Sequence, residues 1–162
     1  IASGLPLGAC VARADLIEKW EAPAHLFTAA GNPVCCAASL ATIGVIREEN
    51  LLENALRIGE RIKNKFLEMQ QKYEIIGDVR GIGLSIGVDL VTDRAAAAKI
   101  CYRAWQRGVL LSFFSGCVLR IQPPLVLSET QADEAMEIID QSFRDFMDGD
   151  IPDSIFETVK GW

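Results

Sequence analysis

Between Ile82 and Leu90 the chain alternates strictly. Ile82, Leu84, Ile86, Val88 and Leu90 are apolar, while Gly83, Ser85, Gly87 and Asp89 are small or polar. A period of two places the apolar set on one face of an extended strand, so this segment calls for a sheet with one buried face. The other face is small, which predicts a close neighbour there. The residues leading in, Asp78 to Gly83, read as a turn whose glycines shape the bend.

Helical periods surround this strand. Asn32-Pro33 is a sharp helix start, because Asn caps well and Pro at the first helical position has no N–H to lose. Val34 to Val45 then runs almost without charge, as expected of a helix buried on most sides. Asn50 with Glu53 marks a second start, followed by Leu52, Leu56, Ile62, Phe66 and Met69 at helical spacing. Asp93 opens a third helix to about Arg107, with Gly108 as its stop. Ser128 with Gln131 fits a capping box, ahead of an apolar stripe of Ala132, Ala135, Met136, Ile139, Phe143 and Phe146. Asp148 to Asp150 ends that helix, and an acidic tail runs to Trp162. Short strands are expected at Ala9 to Ala12, Val109 to Ser112 and Val118 to Gln122, the last two around a Ser115-Gly116 turn. A short helix is expected within Asp15 to Trp20. The order predicts a small α+β layer with helices on one face of a mostly antiparallel sheet. Residues 1–31 do not belong to that layer and read as the end of another domain.

The length of 162 residues suits one ordinary domain or two small ones, and with half the residues apolar a packed core is within reach. A net charge of −6 without a Lys/Arg block disfavours nucleic-acid binding. No apolar run reaches the ~20 residues of a membrane span. The five cysteines lack metal-ligand spacing and read as buried thiols in a cytoplasmic protein, Cys35-Cys36 as small core residues. The chain starts at Ile1 without a signal-peptide pattern, and its length reads as that of a fragment.

Few residues invite chemistry. There is no GxSxG, P-loop, HExxH or CxxC pattern. The single histidine, His25, reads as a structural hydrogen-bonder. Thr28 sits ahead of a helix N-terminus, where a hydroxyl and backbone N–H groups can hold an anion such as phosphate; an ordinary loop threonine is the plainer reading. Arg80 either binds an anion or pairs with Asp78 or Glu74. Asp89 and Asp93 read as strand-end and capping residues. Arg120 alternates with Leu119 and Ile121 in an apolar strand stopped by Pro123-Pro124. Its guanidinium suits bidentate capture of a carboxylate, and equally an internal salt bridge or an edge position reaching solvent.

Taken together, several stretches resemble the C-terminal part of class III aminotransferases, pyridoxal-phosphate enzymes of fold type I. They are GLPLGACVAR (4–13), HLFTAAGNPVCCAASLATIGVI (25–46), EENLLENALRIGERI (48–62), IIGDVRGIGLSIGVDLV (75–91) and LRIQPPLVLSETQADEAMEII (119–139). The group includes 4-aminobutyrate, ornithine and acetylornithine aminotransferases. APAHLFTAAGNPVC, FLEMQQKYEIIGDVR and the ending KGW look closest to its amino-acid 2-epimerase branch.

The resemblance implies an α/β fold in which residues 1–45 end the large cofactor-binding domain and begin the interdomain helix, and 46–162 form the small α+β C-terminal domain. It implies that Thr28 binds the phosphate of pyridoxal 5'-phosphate across a homodimer interface, although T-A-A-G-N-P (28–33) departs from the usual T-F-G-G-N-P. It implies that Arg120 binds the substrate carboxylate and leaves Arg80 a structural role. The family's Schiff-base lysine falls upstream of Ile1, so the fragment alone is expected to be inactive. The parent is expected to move an amino group between an amino acid and a 2-oxo acid. The alternatives are racemisation or epimerisation on the same fold, or a non-catalytic binding or dimerisation module.

Overall fold

The computed structural model describes residues 1–23, 27–114 and 116–158. The chain divides into two compact units, Ile1–Leu51 and Leu52–Trp162.

Among the described residues the first unit carries α1 (Ala14–Ile17) and α2 (Pro33–Glu48). The expected strand at Ala9 to Ala12 is not formed: these residues are irregular, and Val11 is 93% exposed. Among the described residues this apolar run has no neighbouring strand with which to pair. The helix start at Asn32-Pro33 is as expected. The Asn32 side chain accepts from the N–H groups of Val34 (3.0 Å) and Cys35 (3.4 Å), and Pro33 occupies the first turn. The expectation that α2 is buried on most sides is corrected. Only Cys35 and Ser39 are buried, whereas Val34, Leu40, Ile43 and Val45 are exposed. Asn50 ends α2 in a left-handed conformation (φ 52°) and makes no side-chain cap to the helix after it.

The second unit is a two-layer sandwich. It holds α3 (Leu51–Lys72, from Leu52 onward), β1 (Ile76–Ile82), β2 (Ser85–Leu90), α4 (Arg94–Gln106), β3 (Ser112–Phe114), β4 (Val118–Ile121), α5 (Glu129–Met147) and α6 (Ile155–Thr158). The sheet is antiparallel throughout, in the order β1-β2-β4-β3. The single strand expected over 82–90 is two strands. Ile82 pairs with Ser85 across a two-residue turn in which Gly83 has φ 53°. Beyond the turn the alternation holds, with Ile86, Val88 and Leu90 buried. Ile82, on the other side of it, is turned out and 78% exposed. The segment read as a turn, 78–83, is mostly strand β1. Strand β3 likewise begins at Ser112, where the expected strand was to end.

The core lies between the sheet and three helices. Ile58, Ile62, Phe66 and Met69 of α3 meet Ile86, Val88, Leu119 and Ile121 of the sheet in one cluster. Ala97, Ile100, Cys101 and Ala104 of α4 join it, as do Ala132, Met136, Ile139 and Phe143 of α5. The α4 and α5 N-termini are closed as expected: Asp93 accepts from the Ala96 N–H (2.9 Å), and Ser128 with Gln131 forms a complete capping box. Gly108 follows α4 at φ 99°. The tail is not simply solvated. Ile151 and Ile155 are buried, Arg103 donates to the Asp150 carbonyl (2.8 Å), and Lys99 pairs with Asp153 (2.6 Å).

Candidate functional site

The alternation of β4 decides where Arg120 points. Leu119 and Ile121 are buried in the core, so Arg120 between them stands on the opposite, outer face of the sheet. Register then lines up a row across that face. Arg80 of β1 pairs with Gly87 of β2, Gly87 pairs with Arg120 of β4, and Arg120 pairs with Ser112 of β3. Gly87 leaves the floor open between the two arginines. A shallow depression here is lined by Arg80, Ser85, Gly87, Val118, Arg120 and Gln122. The Gln122 side chain donates to the Ser85 hydroxyl at 3.3 Å.

The two arginines are held in opposite ways. Arg80 donates to both carboxylate oxygens of Asp89 (2.5 and 2.9 Å) and to Asp78 (2.8 Å). Its hydrogen bonds to Asp89 first, then to Asp78, push its pKa above the ordinary arginine value. Arg80 is thus a neutralised, structural cation. The Arg120 side chain forms no ion pair or hydrogen bond among the described residues. Its guanidinium lies over the ring of Phe114, 5.3 Å from the centroid. A planar cation on an exposed face with its donors unspent is suited to a carboxylate from outside the chain. The internal salt bridge considered for Arg120 does not form among the described residues.

Thr28 belongs to the first unit. It sits in an exposed turn in which the Ala30 N–H donates to the Phe27 carbonyl (3.0 Å) and the Asn32 N–H to the Ala29 carbonyl (3.3 Å). The Asn32 side chain accepts from the first N–H groups of α2, those of Val34 and Cys35. The Thr28 hydroxyl makes no hydrogen bond among the described residues and can donate to an anion. A phosphate ester, which accepts from hydroxyl donors, fits it in chemical kind. Of the described lysines, Lys63 donates to the Gly81 carbonyl, and Lys65, Lys72 and Lys99 each pair with an acid. Lys19 lies on the exposed stretch after α1.

His25 and Ser115 lie outside the described residues. Cys35 is buried in α2, and burial pushes the Cys101 thiol up to about 12, so it stays protonated. No group of metal-ligating side chains occurs among the described residues, and no described helix is long and apolar enough to cross a membrane. Two features of the outer face escape the sequence reading. Asp89 is Arg80's main partner, and Phe114 lies under Arg120. Both depend on cross-strand register, and the displaced start of β3 put Phe114 in a turn.

Known proteins place this architecture. The profile described as aminotransferase class-III matches residues 1–143. An isoleucine 2-epimerase of Lentilactobacillus buchneri is 44% identical over 158 residues, covering 93% of this chain and 35% of that protein. A leucine/methionine racemase of Thermococcus litoralis is 39% identical, covering 100% of this chain and 38% of that protein. Among solved structures, an ornithine aminotransferase of Toxoplasma gondii, with pyridoxal phosphate at partial occupancy in its active site, superposes with a TM-score of 0.77. It is 28% identical and covers 85% of this chain and 33% of that one. The fold is the one found in pyridoxal-phosphate transferases of fold type I. The chain belongs to the class III aminotransferase family. It spans little more than a third of the length of the curated relatives it matches.

Proposed function

We propose that the whole protein is a pyridoxal-phosphate enzyme acting on amino acids, and that Arg120 binds the substrate carboxylate. The observation that carries this reading is the contrast on one sheet face: Arg80 is neutralised by two aspartates, while Arg120 keeps its charge and donors unspent. The reaction proposed is transfer of an amino group between an amino acid and a 2-oxo acid. Bound pyridoxal phosphate supplies the electron sink for removal of the α-proton. Thr28 holds the cofactor phosphate of a neighbouring subunit in a homodimer. Residues 1–45 then end the cofactor-binding domain, and 46–162 form the C-terminal domain. The lysine that carries the cofactor precedes Ile1; Lys65, Lys72 and Lys99 of this chain each pair with an acid. Five free cysteines accord with the reducing cytoplasm.

A second reading, racemisation or epimerisation at the α-carbon, is favoured by the two relatives above, one an epimerase and the other a racemase. Arg120 serves it equally, because both reactions begin with the same proton. Product analysis separates them: a 2-oxo acid accumulates in transamination, and an inverted amino acid without net loss of amine in epimerisation.

The test is Arg120→Ala in the full-length enzyme. A charge-assisted carboxylate contact is worth about 1.5–3 kcal/mol, so KM for the amino acid should rise by about ten- to a hundredfold. Cofactor content should stay unchanged. An unaltered KM removes Arg120 from substrate binding.

A further inference from the structure

Resting on the carboxylate reading of Arg120, we propose that Phe114 is the positioning residue for its guanidinium. A long arginine side chain on an open sheet face is conformationally free, and fixing it costs rotamer entropy. The row contains one solution to that problem: Arg80 is fixed by Asp78 and Asp89. That solution consumes the charge and the donors. An arginine meant to receive a carboxylate needs a support that neutralises nothing.

The Phe114 ring supplies such a support. The guanidinium carbon of Arg120 lies 5.3 Å from the ring centroid, within the range of an attractive cation–π contact. The ring engages the cation without accepting any of its N–H groups, and none of them is spent elsewhere among the described residues. The strand is built for this. Phe113 packs against the core, so Phe114 must emerge on the outer face, diagonal to Arg120 and directly opposite Val118. Phe114 remains 49% exposed there, a large apolar side chain that contributes little to the core. Its place is explained by the cation beside it rather than by burial.

The experiment is steady-state kinetics on the full-length holoenzyme carrying Phe114→Leu, Phe114→Tyr, Arg120→Ala and the Phe114→Leu/Arg120→Ala pair. Phe114→Leu should raise KM for the amino acid about three- to tenfold, as loss of a partly exposed cation–π contact predicts. Its kcat and cofactor content should stay within twofold of wild type. Phe114→Tyr keeps a ring and should remain within about twofold in KM. In the Arg120→Ala background, Phe114→Leu should have almost no further effect, because the group it orients is gone. If Arg120→Ala raises KM and Phe114→Leu does not, the role of Phe114 is overturned while that of Arg120 stands. If Phe114→Tyr is as damaging as Phe114→Leu, or if Phe114→Leu acts equally without Arg120, Phe114 works in some other way and the proposal fails. If Arg120→Ala itself leaves KM unchanged, the carboxylate reading falls first and this inference falls with it.

Discussion

Asp140 shows how a carboxylate becomes structural. It sits on α5 with its side chain 19% exposed, accepting from Lys72 (3.0 Å), Tyr73 (3.1 Å) and Arg144 (3.0 Å). Burial pushes its pKa up, but the bonds from Lys72, Tyr73 and Arg144 outweigh burial and hold it below the ordinary aspartate value. A group whose pKa is lower in the folded state adds stability above its unfolded pKa and loses it as pH falls through the folded one. Lys72 and Arg144 are more than half exposed, so solvent weakens their share. Asp140→Asn should therefore cost about 1 kcal/mol at pH 7. It should also flatten the loss of stability below about pH 4. Urea midpoints of both proteins between neutral and acid pH test this, and parallel curves would show that the cluster contributes no pH dependence. Of these partners only Arg144, four residues along α5, could be paired from sequence, since Lys72 and Asp140 meet only where α3 and α5 pack. Arg120 was more legible, because its place between Leu119 and Ile121 already sets it apart from the core. Of Arg80's two partners Asp78 was legible, and Asp89 was not, since it becomes a neighbour only through the hairpin register.

At the scale of elements, the hairpin between β1 and β2 is fixed by glycine on both sides of its contact with α3. Gly83 turns the chain at φ 53°, and a Cβ on Gly59 of α3 would collide with the Gly83 backbone. The small residues of the alternating segment had predicted a close neighbour. That neighbour is the α3 backbone at Gly83, whereas the atoms nearest Gly87 belong to Val118 and Arg80, at ordinary distance. Helix propensity alone would favour alanine at Gly59 by about 1 kcal/mol. The collision is with backbone, which yields little, so overpacking of about 1–3 kcal/mol should win. Gly44 in α2 is the control, because a Cβ there meets only the end of Glu48, at 3.9 Å. In the 162-residue chain, Gly59→Ala should lower the denaturation midpoint, while Gly44→Ala should leave it unchanged or raise it slightly. Equal effects of the two would mean that the hairpin is not locked against α3. Caps and helical stripes were legible in advance because they are local. The strand boundaries were not, since a period of two continues unbroken through a two-residue turn and only glycine at positive φ reveals the reversal.

The whole molecule is uneven in how it buries what it carries. Residues from Leu52 onward close a core of their own, with Ile58, Phe66, Val88, Ile100, Leu119 and Phe143 fully buried. The α2 helix is almost uncharged, yet only Cys35 and Ser39 of its 16 residues are buried. A helix of that length is marginal in water unless an apolar face is covered. Its sequence therefore matches a burial greater than this chain provides, in keeping with a chain that spans little more than a third of its relatives' length. Local stability should follow burial. In amide hydrogen exchange on the 162-residue chain, α2 should show protection factors on the order of 100 or less. The central residues of β2, β4 and α5 should open only with global unfolding, with factors on the order of 10⁴ or more. In the full-length protein, α2 should join the slow class, because the apolar side chains left open here would then be covered. Fast exchange of α2 in both proteins would mean that Val34, Leu40, Ile43 and Val45 remain open to solvent in the whole molecule. Slow exchange in the 162-residue chain would mean that propensity and the Asn32 cap stabilise α2 well beyond what its buried area explains.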